Sequence, residues 1–188
     1  MKIDISSGLV NDARLVMSPN HDVRPDENDI SLIVVHGISL PPGEFGNDYV
    51  DQLFTNNLNP EEHPYFKEIE GLKVSSHLLI KRDGELVQYV PINKRAWHAG
   101  VSSYQDRESC NDFSIGIELE GTDELPYTEI QYQVLAEVIY DLIESYPALT
   151  EQTIAGHSDI APGRKTDPGS AFDWQHLHDL LSAQIKHV

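Results

Sequence analysis

The chain has 188 residues, and at roughly 150 residues per domain this length predicts one domain spanning residues 1–188. A hydrophobic content of 39% is ordinary for a globular protein and is sufficient for a core. Lys and Arg number 13 against 31 Asp and Glu, so the formal net charge of −18 disfavours binding to nucleic acid or to anionic membranes.

Cysteine content and hydropathy indicate a soluble protein of the cytoplasm. Cys110 is the single cysteine, so no internal disulfide can form. Residues 1–10 alternate polar and apolar side chains, whereas a signal peptide needs an unbroken apolar stretch. The longest strongly apolar run, residues 32–35, is far shorter than the roughly 18 to 20 residues that span a bilayer. We expect a monomer with no membrane or nucleic-acid partner.

The first half of the chain predicts strands of a sheet. Residues 31–37 are apolar on both faces and rich in β-branched side chains, which is typical of a central strand. A short helix is expected near residues 49–57. Residues 77–81 and 85–90 flank an Asp-Gly pair, and this arrangement predicts a β-hairpin.

The second half predicts one more strand and two helices. Residues 114–120 alternate with a period of two. Thr128 and Gln131 fit a capping box ahead of apolar residues at helical spacing, so a helix should run to about residue 145. Another helix is expected over residues 173–185. Since a hairpin forces antiparallel neighbours, these elements predict an α/β fold with a central mixed β-sheet flanked by helices.

Two histidines and one aspartate are candidates for a metal site. His36 ends the predicted central strand, and His157 follows a short strand-like run over residues 153–156. Asp167 comes ten residues later, in a loop rich in Gly and Pro that can fold back on His157. Two imidazoles and one carboxylate are a ligand set for a catalytic Zn²⁺ with one open position. The alternative for His36 is an ordinary hydrogen bond at the edge of the sheet.

Amide hydrolysis at zinc also needs a base and a positive group for the developing oxyanion. Glu118 and Glu120 share one face of the strand over residues 114–120, and either of them fits the base. Lys165 lies two residues before Asp167 and fits the positive group, although it could equally be a surface lysine of a very acidic protein.

Five segments of the sequence resemble those of the zinc N-acetylmuramoyl-L-alanine amidases, which share a fold with phage amidase-lysozymes and peptidoglycan-recognition proteins. The segments are residues 33–43, 74–84, 95–100, 114–121 and 156–169. They occur in order over nearly the whole chain, and together they are far more specific than any one alone. Ser76 and Asp167 stand where phage-type members have Tyr and Cys, which resembles the cytoplasmic branch that acts on 1,6-anhydro muropeptides.

The resemblance implies that His36, His157 and Asp167 bind zinc, that Glu118 is the catalytic base and that Lys165 stabilises the oxyanion. The implied reaction is hydrolysis of the amide between 1,6-anhydro-N-acetylmuramic acid and L-alanine in muropeptides released during cell-wall recycling. Three alternatives stay open: a non-catalytic muropeptide sensor, an amidase acting on intact peptidoglycan, and a different metallohydrolase.

Substrate contacts are expected from residues near the five segments. The indole of Trp97 offers an apolar face for a sugar ring, and His98 beside it should also line the cleft. Peptide carboxylates need local positive charge, for which Arg107 is the candidate together with Lys94, Arg95 and Arg164.

Overall fold

A mixed six-stranded β-sheet forms the centre of the computed structural model, which describes residues 1–185. The strands are β1 (Ile3–Asp4), β2 (Leu9–Val10), β3 (Arg14–Leu15), β4 (His21–Val23), β5 (Leu32–Ile38), β6 (Leu78–Ile80), β7 (Leu86–Gln88), β8 (Lys94–Ala96), β9 (Ser103–Tyr104), β10 (Arg107–Glu108), β11 (Ser114–Glu120) and β12 (Ile154–Gly156). The helices are α1 (Tyr49–Phe54), α2 (Pro64–Glu68), α3 (Glu129–Ser145), α4 (His157–Ile160) and α5 (Trp174–Ile185). The predicted fold class is confirmed.

The order of strands across the sheet is β12-β5-β11-β6-β7-β3. The four strands from β12 to β6 are parallel to one another, while β6 and β7 form the predicted antiparallel hairpin. The predicted central strand is therefore β5, which has a parallel neighbour on each side. Three further pairs, β1-β2, β4-β8 and β9-β10, lie outside this sheet.

The two faces of the sheet are covered by different elements. The long helices α3 and α5 pack on one face, where Ile33, Val35, Ile115 and Ile117 point into the main hydrophobic core. The short helices α1 and α2 contribute to a second core, against β6 and β7. Alternation along β5 sends His36 to the face opposite Val35, away from the long helices.

Helix ends follow the sequence signals where the signals are strong. The Thr128 side chain caps α3, and Gln131 closes the capping box as predicted. The helix predicted over residues 49–57 ends earlier, at Phe54. Two short helices, α2 and α4, are not among the predicted elements. A helix of four or five residues is too short to show a helical period, which is why the pattern misses both.

The register of the parallel strands decides what meets at their carboxyl ends. Glu118 of β11 lies directly opposite His36 of β5. On the other side of β5, Gly156 of β12 lies opposite Val35, so the next residue, His157, comes beside His36. Ligand sites of α/β sheets lie at this end of the strands. Within residues 1–185, no helix combines the length and apolar character needed to cross a bilayer.

Candidate metal centre

Three donor atoms converge at the carboxyl end of the sheet. His36 Nδ1 lies 3.0 Å from His157 Nδ1 and 3.2 Å from Asp167 Oδ2. The third side of this triangle, from His157 Nδ1 to Asp167 Oδ2, is 3.1 Å. Both imidazoles are buried, and the carboxylate is partly exposed to the cleft. In the part of the chain that the structure describes, this is the one group of three or more such side chains close enough to share a metal ion.

The loop that carries Asp167 is tied to the rest of the fold at two points. The backbone N–H of Ser158 donates to the Asp167 carbonyl at 3.0 Å, which folds the loop back onto α4. The hydroxyl of Tyr127 donates to the Pro168 carbonyl at 2.9 Å, one residue beyond Asp167. The carboxylate is therefore held against the histidines although it belongs to no helix or strand.

The chemistry of this donor set fits a divalent cation. His157 Nε2 faces the Ala99 carbonyl at 3.3 Å, and a carbonyl only accepts, so neutral His157 carries its proton there and turns a bare Nδ1 to the cluster. Burial lowers the pKa of His36 to about 4, so this imidazole is neutral at pH 7. Asp167 Oδ2 faces both Nδ1 atoms, at 3.2 and 3.1 Å, and a carboxylate oxygen offers a third electron pair at this point. Two imidazole nitrogens and a carboxylate oxygen are a donor set that suits zinc.

Glu118 lies beside this cluster as a buried carboxyl group. Its side chain shares a cross-strand position with His36, and the residue is 7% exposed. Among residues 1–185, no partner lies within hydrogen-bonding distance of its buried Oε2. Burial raises the pKa of Glu118 well above its ordinary value, the nearby Asp167 raises it further, and Lys165 opposes both. A carboxyl group in this state is poised to take up a proton near neutral pH.

Glu120 has a different environment although it points to the same face of β11. Its carboxylate accepts the backbone N–H of Gly46 at 2.7 Å and that of Arg82 at 3.0 Å. Both oxygens are therefore engaged in holding a loop and the hairpin turn. The structure therefore places Glu118, and not Glu120, beside the donor atoms of His36, His157 and Asp167.

The cluster opens into a cleft of about 600 Å³. Lys165 is exposed and lines this cleft together with Asp167 and Glu118. Trp97 lines it as well, and its indole N–H donates to Asp22 at 2.7 Å, which fixes the ring plane. The wall away from the cluster is apolar and comes from five residues of α1, α2 and the segment after α2: Leu53, Phe54, Tyr65, Ile69 and Leu72.

The structure places His98 in the cleft lining, with its ring held by protein atoms. The ring reaches the floor of the cleft, but both of its nitrogens are engaged by protein atoms. Its Nδ1 lies 2.8 Å from His36 Nε2, and its Nε2 lies 3.1 Å from Ser114 Oγ. A contact between His98 and substrate stays a prediction, and neither ring nitrogen is free to make a polar one.

The sequence-based expectation for Arg107 is corrected, because this residue does not line the cleft. Its guanidinium forms an ion pair with Asp29, donates to Ser31 Oγ at 3.0 Å and lies over the Phe113 ring, 3.7 Å from the ring centroid. The Arg107 guanidinium is therefore already paired with a carboxylate of this acidic protein. The sequence alone does not show which carboxylate lies beside it in the fold.

Three other cations named from the sequence also lie outside the cleft lining. Arg95 forms ion pairs with Asp22 and Asp112. Arg164 donates to the carbonyls of Ala99 and Val101 at 2.6 and 2.7 Å. Lys94 lines a separate depression near the N-terminal strands. Among residues 1–185, Lys165 is therefore the only lysine or arginine that lines the cleft.

Tyr127 is a site residue that the sequence analysis missed. Its ring packs where β5 and β11 end, and a Cβ added to Gly37 or to Gly121 would collide with it. Gly37 thus makes room for the side chain that holds the loop of Asp167. A glycine near the end of a buried strand signals such a close approach, although it does not identify the approaching side chain.

Comparisons with known proteins agree with this geometry. The family model described as N-acetylmuramoyl-L-alanine amidase matches residues 26–170. The 1,6-anhydro-N-acetylmuramyl-L-alanine amidase AmpD of Salmonella typhimurium (strain SL1344) is 61% identical and covers 93% of each chain. A crystal structure of a selenomethionine AmpD derivative superposes with a TM-score of 0.93 at 60% identity, covering 96% of this chain and 99% of that one.

A more distant solved structure carries a ligand. It is described as a complex of the N-acetylmuramyl-L-alanine amidase AmiD from E. coli with the substrate anhydro-N-acetylmuramic acid-L-Ala-D-gamma-Glu-L-Lys. It is 30% identical, with a TM-score of 0.59, and covers 81% of this chain and 57% of that one. Together with the three donor side chains and the buried carboxyl group in one cleft, these matches show that the chain is an enzyme of the N-acetylmuramoyl-L-alanine amidase family.

Proposed function

We propose that the enzyme holds one Zn²⁺ on His36, His157 and Asp167 and hydrolyses the amide between 1,6-anhydro-N-acetylmuramic acid and L-alanine in soluble muropeptides. The observation that carries the proposal is the register of β5 and β11, which sets a buried, unpartnered Glu118 beside the three donors. Support for the bond comes from the name of the AmpD relative, and support for the peptide comes from the ligand of the AmiD complex.

The reaction needs a base, a stabiliser for negative charge and a proton for the leaving amine. Zinc, when bound, activates a water molecule and polarises the scissile carbonyl. Glu118 accepts the proton of the attacking water and returns it to the amine of L-alanine, which its raised pKa favours. The Lys165 ammonium, at the mouth of the same cleft, stabilises the negative charge that develops on the carbonyl oxygen.

Substrate binding uses the remaining walls of the cleft. Trp97 presents the face of an indole whose edge is anchored by Asp22, which suits stacking on the anhydro sugar. Lys165 also attracts a peptide carboxylate, because it is the cation of the cleft wall within residues 1–185. Arg107 is left out of this proposal.

The ligand assignment predicts that Asp167→Ala loses bound zinc and amidase activity together. Removing one of three donors leaves two imidazoles, which hold the ion far more weakly. Elemental analysis of the purified variant and mass spectrometry of a digested anhydro-muropeptide measure the two losses. Asp179→Ala is the matched control, since Asp179 is bonded to Gln175 on α5 and should keep both properties. Stoichiometric zinc in Asp167→Ala would contradict the assignment.

Assays on the same purified enzyme distinguish the proposed function from two other functions. A muropeptide sensor would bind the ligand without cleaving it, and the unpartnered Glu118 carboxyl favours catalysis over this function. Turnover with and without a chelator decides between them. An amidase of the intact wall would release peptide from insoluble sacculi as fast as from soluble fragments, whereas we expect the soluble fragments to be preferred.

We further propose that the whole chain acts as one zinc amidase domain, as a monomer in the cytoplasm. All five residues assigned to chemistry come from one chain and surround one cleft, so no second subunit is needed to complete it. Light scattering of the zinc-loaded enzyme tests the monomer, and fractionation of cells tests the location. A dimer in solution or a periplasmic enzyme would overturn the respective proposal.

A further inference from the structure

His98 is a buried residue with no role in the proposed reaction, and its ring contacts His36, one of the proposed zinc ligands. Its backbone N–H and that of Ala99 donate to Asn111 Oδ1 at 3.1 and 2.8 Å, so the main chain at this point is clamped. The ring lies flat against β11 at Gly116, where a Cβ would come within 2.5 Å of His98 Cγ. Gly116, in the middle of a buried strand, thus leaves the space that the imidazole of His98 occupies.

The hydrogen bonds from His98 have a direction that can be deduced from their far end. The Ser114 hydroxyl lies 2.5 Å from the Cys110 carbonyl, which only accepts, so the hydroxyl proton is committed to that bond. Ser114 Oγ must then accept from His98 Nε2, which lies 3.1 Å away. Neutral His98 therefore carries its proton on Nε2 and has a bare Nδ1.

The chain of hydrogen bonds continues from His98 to His36. The bare Nδ1 of His98 lies 2.8 Å from His36 Nε2, so that atom must be the donor and must carry the proton of neutral His36. His36 Nδ1 is then bare, and this is the atom that faces His157 and Asp167. Protonated, charged forms of His36 and His98 are disfavoured because both imidazoles are buried.

We propose that His98 is a positioning residue, which accepts the Nε2–H of His36 and so presents the Nδ1 lone pair of His36 to the metal. Ser114 and the Cys110 carbonyl orient His98 in turn, and Gly116 gives its ring room. The inference rests on the proposed function, since it assigns His36 to a metal. Groups behind a ligating histidine fix its tautomer and orientation, and their loss typically costs about 10- to 100-fold in metal affinity.

Three variants separate hydrogen bonding from packing. His98→Leu removes the acceptor, and we expect zinc affinity, measured by competition with a chromogenic chelator, to fall by about 10- to 100-fold. His98→Asn places an amide oxygen where Nδ1 stood, so it should recover most of the affinity. Ser114→Ala leaves the ring but frees its tautomer, and should cost less than His98→Leu. His176→Leu is the control, because His176 bonds Glu129 at the surface and should bind zinc like the parent.

A direct readout does not depend on zinc or on any variant. Nitrogen-15 NMR of histidine-labelled, metal-free enzyme at pH 8 should find the His36 proton on Nε2 and the His98 proton on Nε2. Thermal unfolding of each metal-free variant checks that the fold persists. If His98→Leu fails to fold, His98→Asn, Ser114→Ala and the NMR assignment still decide.

Three results would overturn the inference. They are parent-like zinc affinity in folded His98→Leu, an equal loss in His98→Asn and His98→Leu, and a His36 proton found on Nδ1. A parent enzyme that binds no zinc would instead overturn the proposed function, while the tautomers of His36 and His98 would still report on the hydrogen-bond chain.

Discussion

At the scale of single residues, partners decide what a side chain does. Glu118 and Glu120 lie two residues apart on one face of β11, and both are buried, at 7% and 4% exposure. Glu120 is engaged by two backbone N–H groups, whereas Glu118 has an unpartnered oxygen beside the metal donors. The strand pattern predicts the shared face but leaves this choice open, because Gly46 and Arg82 are remote in sequence.

This contrast makes a paired prediction. Glu118→Gln should keep zinc and the fold but lower kcat by about 100- to 10,000-fold, because the amide cannot accept the proton. Glu120→Gln should instead lower the free energy of unfolding, since it weakens the bonds to Gly46 and Arg82. Steady-state kinetics and urea unfolding of both variants measure the two effects. Equal kinetic losses in the two variants would contradict the assignment of Glu118.

The pH profile of the parent enzyme gives a second test of the Glu118 base. Burial raises the pKa of Glu118, so the active carboxylate is lost already as the pH falls through a value well above 4.5. We therefore expect kcat at saturating substrate to decline on the acid side in that range, while zinc content measured in the same samples stays constant. The acid limb should be missing from the profile of Glu118→Gln, and its persistence in that variant would show that another group titrates.

At the scale of elements, the predicted strands and long helices are those with a clear period or a strong end signal. The strand over residues 114–120 and the helix capped by Thr128 are found as predicted. Pairs such as β1-β2 and β9-β10, with two residues in each strand, have no period to detect. The sequence also does not specify the register of β5 against β11, which is a long-range property and yet sets Glu118 beside His36.

The cap of α3 joins two elements and gives an element-scale prediction. The Thr128 hydroxyl accepts the N–H of Gln131 at 3.3 Å and lies 2.9 Å from the Arg82 carbonyl of the hairpin turn. Thr128→Ala should therefore lower the free energy of unfolding by about 1 kcal/mol, with zinc content and kcat unchanged. Thr150→Ala, at a three-residue turn, is the control and should cost less. Urea titrations compare them, and an unchanged midpoint in Thr128→Ala would contradict the capping argument.

At the scale of the whole molecule, an excess of acidic residues surrounds a core that contains neutral imidazoles. Charge counting predicts the repulsion of polyanions but not the fate of individual cations, since Arg95 and Arg107 pair with carboxylates outside the cleft. The candidate ligands could be named from the sequence because each follows a recognisable segment. Their meeting within 3.2 Å is a property of the complete fold.

Buried imidazoles make the metal-free protein sensitive to mild acid. Burial lowers the pKa of His36 to about 4 and that of His77 to about 3, against roughly 6.5 in an unfolded chain. Between these values the unfolded state binds more protons, so stability falls as the pH drops below about 6.5. The raised pKa of Glu118 opposes this in part, because the folded state then binds a proton more tightly.

The expected loss is about 2 kcal/mol for each buried imidazole between pH 6.5 and pH 5. Urea unfolding of chelator-treated enzyme at the two pH values measures it. His176→Asn is the control, since this partly exposed side chain should leave the difference unchanged. Equal free energies of unfolding at pH 6.5 and pH 5 would show that the imidazoles are not buried in the neutral form.

The loop attachment of Asp167 has a consequence for how such centres diversify. Two of the three proposed zinc ligands and the proposed base lie on neighbouring parallel strands or directly after one. The third ligand, Asp167, lies in a loop that is held by Ser158 and Tyr127. An exchange at position 167 alters the hardness of the donor set, and with it the preferred ion, without disturbing the pleated scaffold. Metal preference and architecture are thereby free to evolve separately.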